Sequence, residues 1–331
     1  MPTNRQIRLL RRPQGALTPD IFEMSAGEVP APGPGEVLCR VRYISLDASN
    51  RAWLDPRPTY KPPVAVGGVM EGITVSEVVE SNVEGLEVGD LVESFSGWQD
   101  YAVHPGNMVR KIPAGAPAEH AISVLGITGL TAYFGLLDIG KILPGERVLI
   151  SAAAGAVGSI AGQIAKLKGC TVIGSAGTDE KCRWLTEELG FDGAINYKTE
   201  DLGEALGRNV PKGIDVYFDN VGGPMLQQAL LRMRMRGRVV CCGAISSYDG
   251  QGGAGMRGVP ELLVVKRLRM EGFIVMDYFS RRAEAEAALM GWLADGSITN
   301  RVDIIDGLEH APEALIGLLT GTNIGKRLVQ L

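Results

Sequence analysis

Residues 147–162 read Arg-Val-Leu-Ile-Ser-Ala-Ala-Ala-Gly-Ala-Val-Gly-Ser-Ile-Ala-Gly, and the chemistry this run can do is to hold an anion. The apolar residues 148–150 predict a buried strand, the small residues 151–156 a tight turn, and the amphipathic stretch 157–168 a helix. A helix that starts this way presents backbone N–H groups without intrahelical partners, and these suit a pyrophosphate. Against the pattern G-x-G-x-x-G the chain has Ala153-Ala154-Gly155-Ala156-Val157-Gly158. Ala153 stands where the first glycine usually does. Gly155 lets a phosphate approach the backbone, and Gly158 lets the helix pack closely on the strand. A tight turn without any ligand is the plain alternative.

The second strand of such a unit decides between the two nicotinamide dinucleotides. An NAD site carries Asp or Glu at that strand's end, about 20 residues past the glycines, on the ribose hydroxyls. Here the strand ends Gly174-Ser175-Ala176-Gly177-Thr178, with no acid at its tip. Asp179 and Glu180 follow at a position where a helix start uses acids for capping. Lys181 then falls on the first helical turn, within reach of a 2′-phosphate. Small neutral residues plus one lysine favour NADP. The plainer role for Lys181 is that of a solvated helix lysine.

These residues need a frame. At 331 residues, 45% hydrophobic and 21% charged, the chain is long enough for two domains with a large core. A net charge of −5 disfavours nucleic acid or an anionic membrane surface as partner. There is no apolar run of about 18 residues, and the basic residues 1–12 lack an apolar h-region, so a cytoplasmic protein is the expectation. Cys39, Cys170, Cys182, Cys241 and Cys242 are scattered without a C-x-x-C spacing, and the histidines are His104, His120 and His310. That inventory predicts neither a disulfide framework nor a zinc site.

Short alternating runs at 37–44, 73–79, 88–92 and 99–103, punctuated by glycine and proline, predict a β-rich domain to about residue 120. Residues 45–54 predict a loop or short helix, and 121–137 one or two helical segments where the domain changes. From 147 onward strands (148–151, 171–175, 194–196, 214–219, 238–242, 270–275) alternate with helices (157–168, 179–189, 200–206, 225–233, 260–266). This predicts an α/β doubly wound parallel sheet. A helix at 281–294 follows. The last pieces, strands at 302–305 and 325–331 around a helix at 311–319, are too few for a domain and return to the first one.

Several stretches carry a family resemblance: YKPPVAVGGVMEGITVSEVVES (60–81), GLTAYFGLLDIG (129–140), SAAAGAVGSIAGQIAKLKGC (151–170), GSAGTDEKCRWLTEELGFDGAINYKTED (174–201), DVYFDNVGG (215–223), CCGAISSYDG (241–250) and NIGKRLVQL (323–331). On these the chain resembles the zinc-free medium-chain dehydrogenases/reductases of the leukotriene B4 12-hydroxydehydrogenase/prostaglandin reductase and alkenal double-bond reductase type. The resemblance implies a Rossmann NADP-binding domain at 123–299 and a discontinuous GroES-like domain at 1–122 with 300–331. It also implies a homodimer through the cofactor-domain edge near 270–275. Ala153, Ala154, Gly155, Val157 and Gly158 would line the pyrophosphate; Lys181 and Tyr197 would meet the 2′-phosphate; Asn220 and Asn323 would meet the cofactor. Cys242, Gly243, Ala244, Ile245, Ser246 and Tyr248 would form the loop over the nicotinamide side, with Phe273, Ile274 and Val275 flanking it. The chain departs from these relatives at Thr128, where they usually have proline, and in the loop LDASNRAWLD. GGVMEG (67–72) lacks the histidine of the zinc-dependent members, so no metal is expected.

Without a metal, an α,β-unsaturated ketone or aldehyde is a more tractable substrate than a simple alcohol. Hydride adds to the β-carbon, charge develops on the carbonyl oxygen, and one or two hydrogen-bond donors stabilise it. A phenol, protonated at neutral pH, suits that role. Tyr248 is the candidate, since it follows residues 243–247 at the C-terminal end of an expected sheet strand. Packing on the cofactor alone is its other role. Tyr60 is a second candidate, with wall packing beside Pro62 and Pro63 favoured for it. Asn50, Arg51 and Trp53 either shape the substrate mouth or lie in a solvated loop, and Thr128 is on the substrate side. Loops 45–65, 245–260 and 275–281 set substrate identity. A quinone reductase with the same cofactor site, and an NADP(H)-binding protein without turnover, are the competing readings.

Overall fold

The computed structural model describes residues 3–57, 59–248 and 258–331, and its contacts divide the chain into two compact units. The first comprises Met1–Ser123 and Val302–Leu331, the second Val124–Arg301. Among the described residues no helix is long and apolar enough to cross a membrane.

The first unit begins with β1 (Thr3–Leu9) and β2 (Phe22–Glu28), an antiparallel pair. Next come β3 (Glu36–Ser45), the short helix α1 (Ser49–Ala52), β4 (Thr74–Ser81), β5 (Leu91–Ser94), β6 (Tyr101–Pro105), β7 (Arg110–Lys111) and helix α2 (Ala118–Ala121). The sequence pattern does not single out β1 or β2, because polar residues fill most of their positions and only one face packs inward. That face puts Ile7 and Leu9 in a core with Ile21, Trp98 and Met70.

The second unit opens with α3 (Ile127–Phe134), then β8 (Arg147–Ile150), α4 (Ala156–Leu167), β9 (Thr171–Ala176), α5 (Asp179–Arg183), β10 (Gly193–Asn196), α6 (Leu202–Asn209), β11 (Ile214–Asp219), α7 (Gly223–Arg232), β12 (Met233–Cys241), α8 (Val259–Lys266), β13 (Arg269–Gly272) and α9 (Arg282–Ala294). Its six strands lie in the order β10-β9-β8-β11-β12-β13, all parallel. Every residue of β11 is buried, as a central strand covered on both faces requires. The strand order reverses between β8 and β11, and ligands of open α/β sheets bind outside the carboxyl ends at such a point. The chain then returns to the first unit with β14 (Val302–Asp306), α10 (Ala311–Thr320) and β15 (Lys326–Gln330). β15 pairs with β3, giving a seven-stranded sheet with β6 alongside β3.

Three expectations need correction. The helix expected over 179–189 stays α-helical only to Arg183. It widens to a π-type turn over Trp184–Glu188, where the Leu189 N–H reaches back to the Trp184 carbonyl and Trp184 and Leu185 are buried. Met233 does not end a helix but opens β12, and β12 is longer than expected because Arg236 adopts a left-handed conformation (φ 61°) that lets the strand continue after a register shift. The edge strand β13 ends at Gly272, so Phe273, Ile274 and Val275 leave the sheet.

The amino ends of the central strands are stitched by one carboxylate. Asp215 accepts from the Arg147 N–H at 2.9 Å and from Arg234 Nη1 at 2.6 Å, which ties the starts of β8 and β12 to β11. Burial alone would push the Asp215 carboxyl up, but the Arg147 N–H and the Arg234 guanidinium outweigh it and hold its pKa below the usual carboxylate range. A depressed carboxyl pKa stabilises the fold above the unfolded-chain value and loses that contribution as pH falls through the folded value. Asp215→Asn is therefore expected to cost about 1–3 kcal/mol at pH 7 in urea denaturation, and the difference from the native chain should shrink in acid, below about pH 4.

Candidate cofactor site

The turn between β8 and α4 owes its shape to Ala152, whose φ of 47° is left-handed. The strain thus falls one residue before Ala153, the position at which the glycine pattern is broken. From there the Ala153 N–H donates to the Ser175 carbonyl at 2.9 Å and the Gly155 N–H to the Ala152 carbonyl at 3.0 Å. Ala153 and Ala154 are buried, so their side chains pack beneath the turn. A methyl on Gly158 would stand 2.5 Å from the Ala152 carbonyl oxygen and 2.8 Å from Ala153 Cα. Both neighbours are backbone and cannot yield, so glycine is required for the helix to seat this closely. Gly155 is the N-cap and supplies no capping side chain. The first-turn N–H groups of Ala156, Val157 and Gly158 accordingly have neither an intrahelical partner nor a capping side chain, the arrangement that suits an anion.

At the carboxyl ends of β8 and β11 a second carboxylate is buried. Asp219 Oδ1 accepts from the Tyr217 hydroxyl at 2.7 Å, the Gly222 N–H at 2.9 Å, the Val221 N–H at 3.0 Å and the Ser151 hydroxyl at 3.2 Å. Burial, with the Asp219 charge beside it, pushes the Tyr217 phenol well above its ordinary pKa, so it acts as a donor. Ser151 Oγ in turn accepts the Asn220 N–H at 2.9 Å, and Asn220 Nδ2 donates to the Ser151 carbonyl at 2.7 Å. The Asp219 carbonyl accepts the N–H groups of both Cys242 (2.9 Å) and Gly243 (3.1 Å). Ser246 donates its hydroxyl to the Val221 carbonyl at 2.6 Å, and Ile245 its N–H to the Asn220 carbonyl at 3.4 Å. The loop after β12 is thereby pinned on the loop after β11.

The structure therefore brings together Gly155, Gly158, Asn220 and residues 242–246 through Ser151 and Asp219, two residues the sequence reading passed over. The available signal was an acid closing an otherwise apolar strand end, Tyr217-Phe218-Asp219. Tyr248 follows a short 3-10 turn, and its hydroxyl oxygen accepts the Ala244 N–H at 3.4 Å. Of the 245–260 loop, residues 249–257 lie outside the described residues, among them Asp249 and Gly250 of the family stretch. Burial pushes the Cys241 thiol to about 11 and the Cys242 thiol to about 12, so both stay protonated. Phe273 packs towards Gly135 and edges onto Tyr278, Ile274 is partly exposed, Val275 is buried, and Thr128 is buried on α3.

At the tip of β9 the cap of α5 is Thr178, which accepts the Lys181 N–H, and not Asp179. Lys181 is 8% exposed, so it is not the solvated helix lysine of the plainer expectation. Tyr197 is half-exposed on the turn after β10.

In the first unit the solvated-loop expectation fails. Asn50 is 1% and Arg51 3% exposed. Asn50 Oδ1 accepts the Asp47 N–H at 2.7 Å and Nδ2 donates to the Glu71 carbonyl at 3.3 Å, while Arg51 Nη2 donates to the Gly15 carbonyl at 2.9 Å. Both spend polar atoms on the backbone around α1. Lys326, fully buried, donates to the Leu46 carbonyl at 3.0 Å and meets Asp47 at 2.5 Å, fixing the same segment to β15. Tyr60 is 44% exposed, and its hydroxyl accepts from Trp53 Nε1 at 2.8 Å. Asn323 is buried and donates to the Gly325 carbonyl at 2.9 Å.

The family described as N-terminal domain of oxidoreductase matches residues 5–112, and that described as zinc-binding dehydrogenase matches 156–295. The chain is 43% identical to the NADPH-dependent curcumin reductase of Escherichia coli (strain K12) over 339 residues, covering 99% of this chain and 97% of that one. It is 39% identical over 303 residues to the NADP(+)-dependent 2-alkenal reductase of Nicotiana tabacum, covering 90% and 88%. The solved structure of CurA from Vibrio vulnificus in complex with NADPH superposes with a TM-score of 0.95 at 42% identity, over 98% of each chain. Despite the second family's description, among the described residues no group of three or more His, Cys, Asp or Glu side chains is placed to hold a metal ion. The chain belongs to the zinc-independent medium-chain dehydrogenase/reductase superfamily, in the branch that holds the curcumin, prostaglandin and alkenal reductases.

Proposed function

We propose that this protein reduces the carbon–carbon double bond of α,β-unsaturated ketones and aldehydes with NADPH, without a metal. The observation that carries this reading is the assembly at the β8/β11 switch point: an open helix N-terminus, Asn220 and the 242–248 loop, in a chain similar over nearly its whole length to NADPH-dependent double-bond reductases. The residues fit the cofactor, since Gly155 leaves room for a phosphate against the N–H groups of α4 and no side chain caps them. When bound, NADPH supplies a hydride for the β-carbon of the substrate.

The chain's own residues supply the rest. Ala156, Val157 and Gly158 N–H groups hold the pyrophosphate, with Ala153 and Ala154 supporting the turn. Lys181 and Tyr197 serve the 2′-phosphate; burial raises the Tyr197 phenol's pKa and keeps it a donor. Asn220, Asn323 and residues 242–246 serve the nicotinamide side with Phe273, Ile274 and Val275. Tyr248 donates to the carbonyl oxygen as negative charge builds there, and solvent protonates the α-carbon. Asn50 and Arg51 act by fixing the substrate-side backbone, while Tyr60 and Thr128 contribute wall surface. Assembly as a homodimer along β13 is part of the same proposal. Among the described strands β13 pairs on one side only, and the apolar side chain of Met270 on it stands partly exposed.

Steady-state oxidation of NADPH and NADH with a medium-chain 2-alkenal or an enone, with product mass analysis, should give the saturated carbonyl, faster with NADPH. Turnover confined to quinones would instead assign a quinone reductase. Tyr248→Phe should lower enone kcat by roughly 100–1,000-fold, the range of about 2.7–4 kcal/mol for one oxyanion donor, with NADPH affinity nearly kept. Unchanged turnover would remove Tyr248 from the reaction. Sedimentation should show twice the 35.3 kDa chain mass, and a monomer at working concentration would refute the dimer.

A further inference from the structure

The turn after β10 is built with more polar contacts than a surface turn needs. Its hub is Asn196, 6% exposed. Asn196 Nδ2 donates to Asp179 Oδ1 at 2.6 Å, and its Oδ1 accepts the Lys198 N–H at 3.2 Å. Its own N–H donates to Glu200 Oε1 at 2.8 Å, and its carbonyl accepts the N–H groups of Thr199 and Glu200. The Tyr197 N–H, donating to the Ala176 carbonyl at 3.1 Å, fastens the turn to the tip of β9.

These bonds hold Tyr197 and Lys198 over Gly177. A methyl on Gly177 would stand 3.0 Å from Tyr197 Oη and 3.2 Å from Lys198 Cε. The missing side chain lets the phenol and the lysine stem lie close against the strand tip. Lys198 is exposed, and among the described residues it makes no ion pair. The acid that would repel a phosphate here is Asp179, directly after the Thr178 cap, and its carboxylate is drawn to Asn196. Glu180 follows it, exposed on the first turn of α5, and Glu200 on the turn after β10 is engaged by Arg208 at 2.6 Å.

We propose that Lys198 is a second cation for the 2′-phosphate of NADP(H), and that Asn196 is a positioning residue for selectivity, presenting Lys198 and holding Asp179 aside. The proposal rests on the NADPH reading above and adds to it which residues separate NADPH from NADH. A cation on a mobile stem suits a dianionic phosphate as a point charge, while Tyr197 contributes a directed hydrogen bond. Removing the Asn196 amide frees Asp179 to face the ribose, where a carboxylate favours hydroxyls and opposes a phosphate.

Calorimetric titration with adenosine 2′,5′-diphosphate and with 5′-AMP isolates the 2′-phosphate without turnover. Lys198→Ala should weaken the diphosphate by about tenfold and leave 5′-AMP unchanged, while Lys198→Arg keeps most of the affinity. Asn196→Ala should weaken the diphosphate and improve the KM for NADH, and adding Asp179→Asn to it should restore diphosphate binding. Equal loss of both ligands in Lys198→Ala, or loss of neither, overturns the role of Lys198. An Asn196→Ala defect that Asp179→Asn does not relieve overturns the role of Asn196. If the unmodified chain binds the diphosphate no better than 5′-AMP, the NADPH reading itself fails and this proposal with it.

Discussion

The carboxyl end of the sheet depends on one buried carboxylate. Asp219 is 2% exposed, and an ion so placed is tolerable only when donors converge on it. It receives them from three segments: the end of β8 through Ser151, its own strand through Tyr217, and the turn into α7 through Val221 and Gly222. Its backbone carbonyl takes the two N–H groups that start the loop after β12. At the point where strand order reverses, neighbouring helices leave on opposite faces and the strand ends lose their cover. Asp219 replaces that cover with hydrogen bonds and fixes where Asn220 and residues 242–246 stand.

Much of the fold was legible because hydrophobic runs and small-residue turns report directly on burial. The six parallel strands and the helix after the glycine turn follow from periods of apolar residues, and all six appear in the sheet. The misses share a physical cause: they are places where a polar or long-range contact overrides the local pattern. β1 and β2 carry mainly polar residues and are held by register with each other and by the core under one face. Asn50 and Arg51 look like solvent-facing residues in a polar stretch, yet their side chains are consumed by carbonyls at Glu71 and Gly15, distant in sequence. No window of neighbouring residues contains that information.

The glycine turn shows how far a motif can be trusted. The pattern located the turn correctly and explained Gly158, whose close approach to Ala152 and Ala153 leaves no alternative. The left-handed position of the turn falls on Ala152, at a steric cost of about 1–2 kcal/mol for a residue with a Cβ. The chain supports that conformation from both sides, with the Ala152 carbonyl accepting the Gly155 N–H and the next N–H bound by Ser175. A departure from the consensus glycine is thus compatible with the same backbone path when neighbouring bonds hold it.

The two buried acids of β11 divide stability from placement along one strand. Asp215 sits at the amino end, where Arg147 and Arg234 compensate its charge and strand starts are joined. Asp219 sits at the carboxyl end, where the hydroxyls of Ser151 and Tyr217 and the N–H groups of Val221 and Gly222 converge on it, all of them neutral donors. Neutral donors satisfy the carboxylate without placing a full positive charge at the carboxyl end of β11. Charge compensation at one end and dipole compensation at the other allow one strand to anchor the sheet and to shape its site.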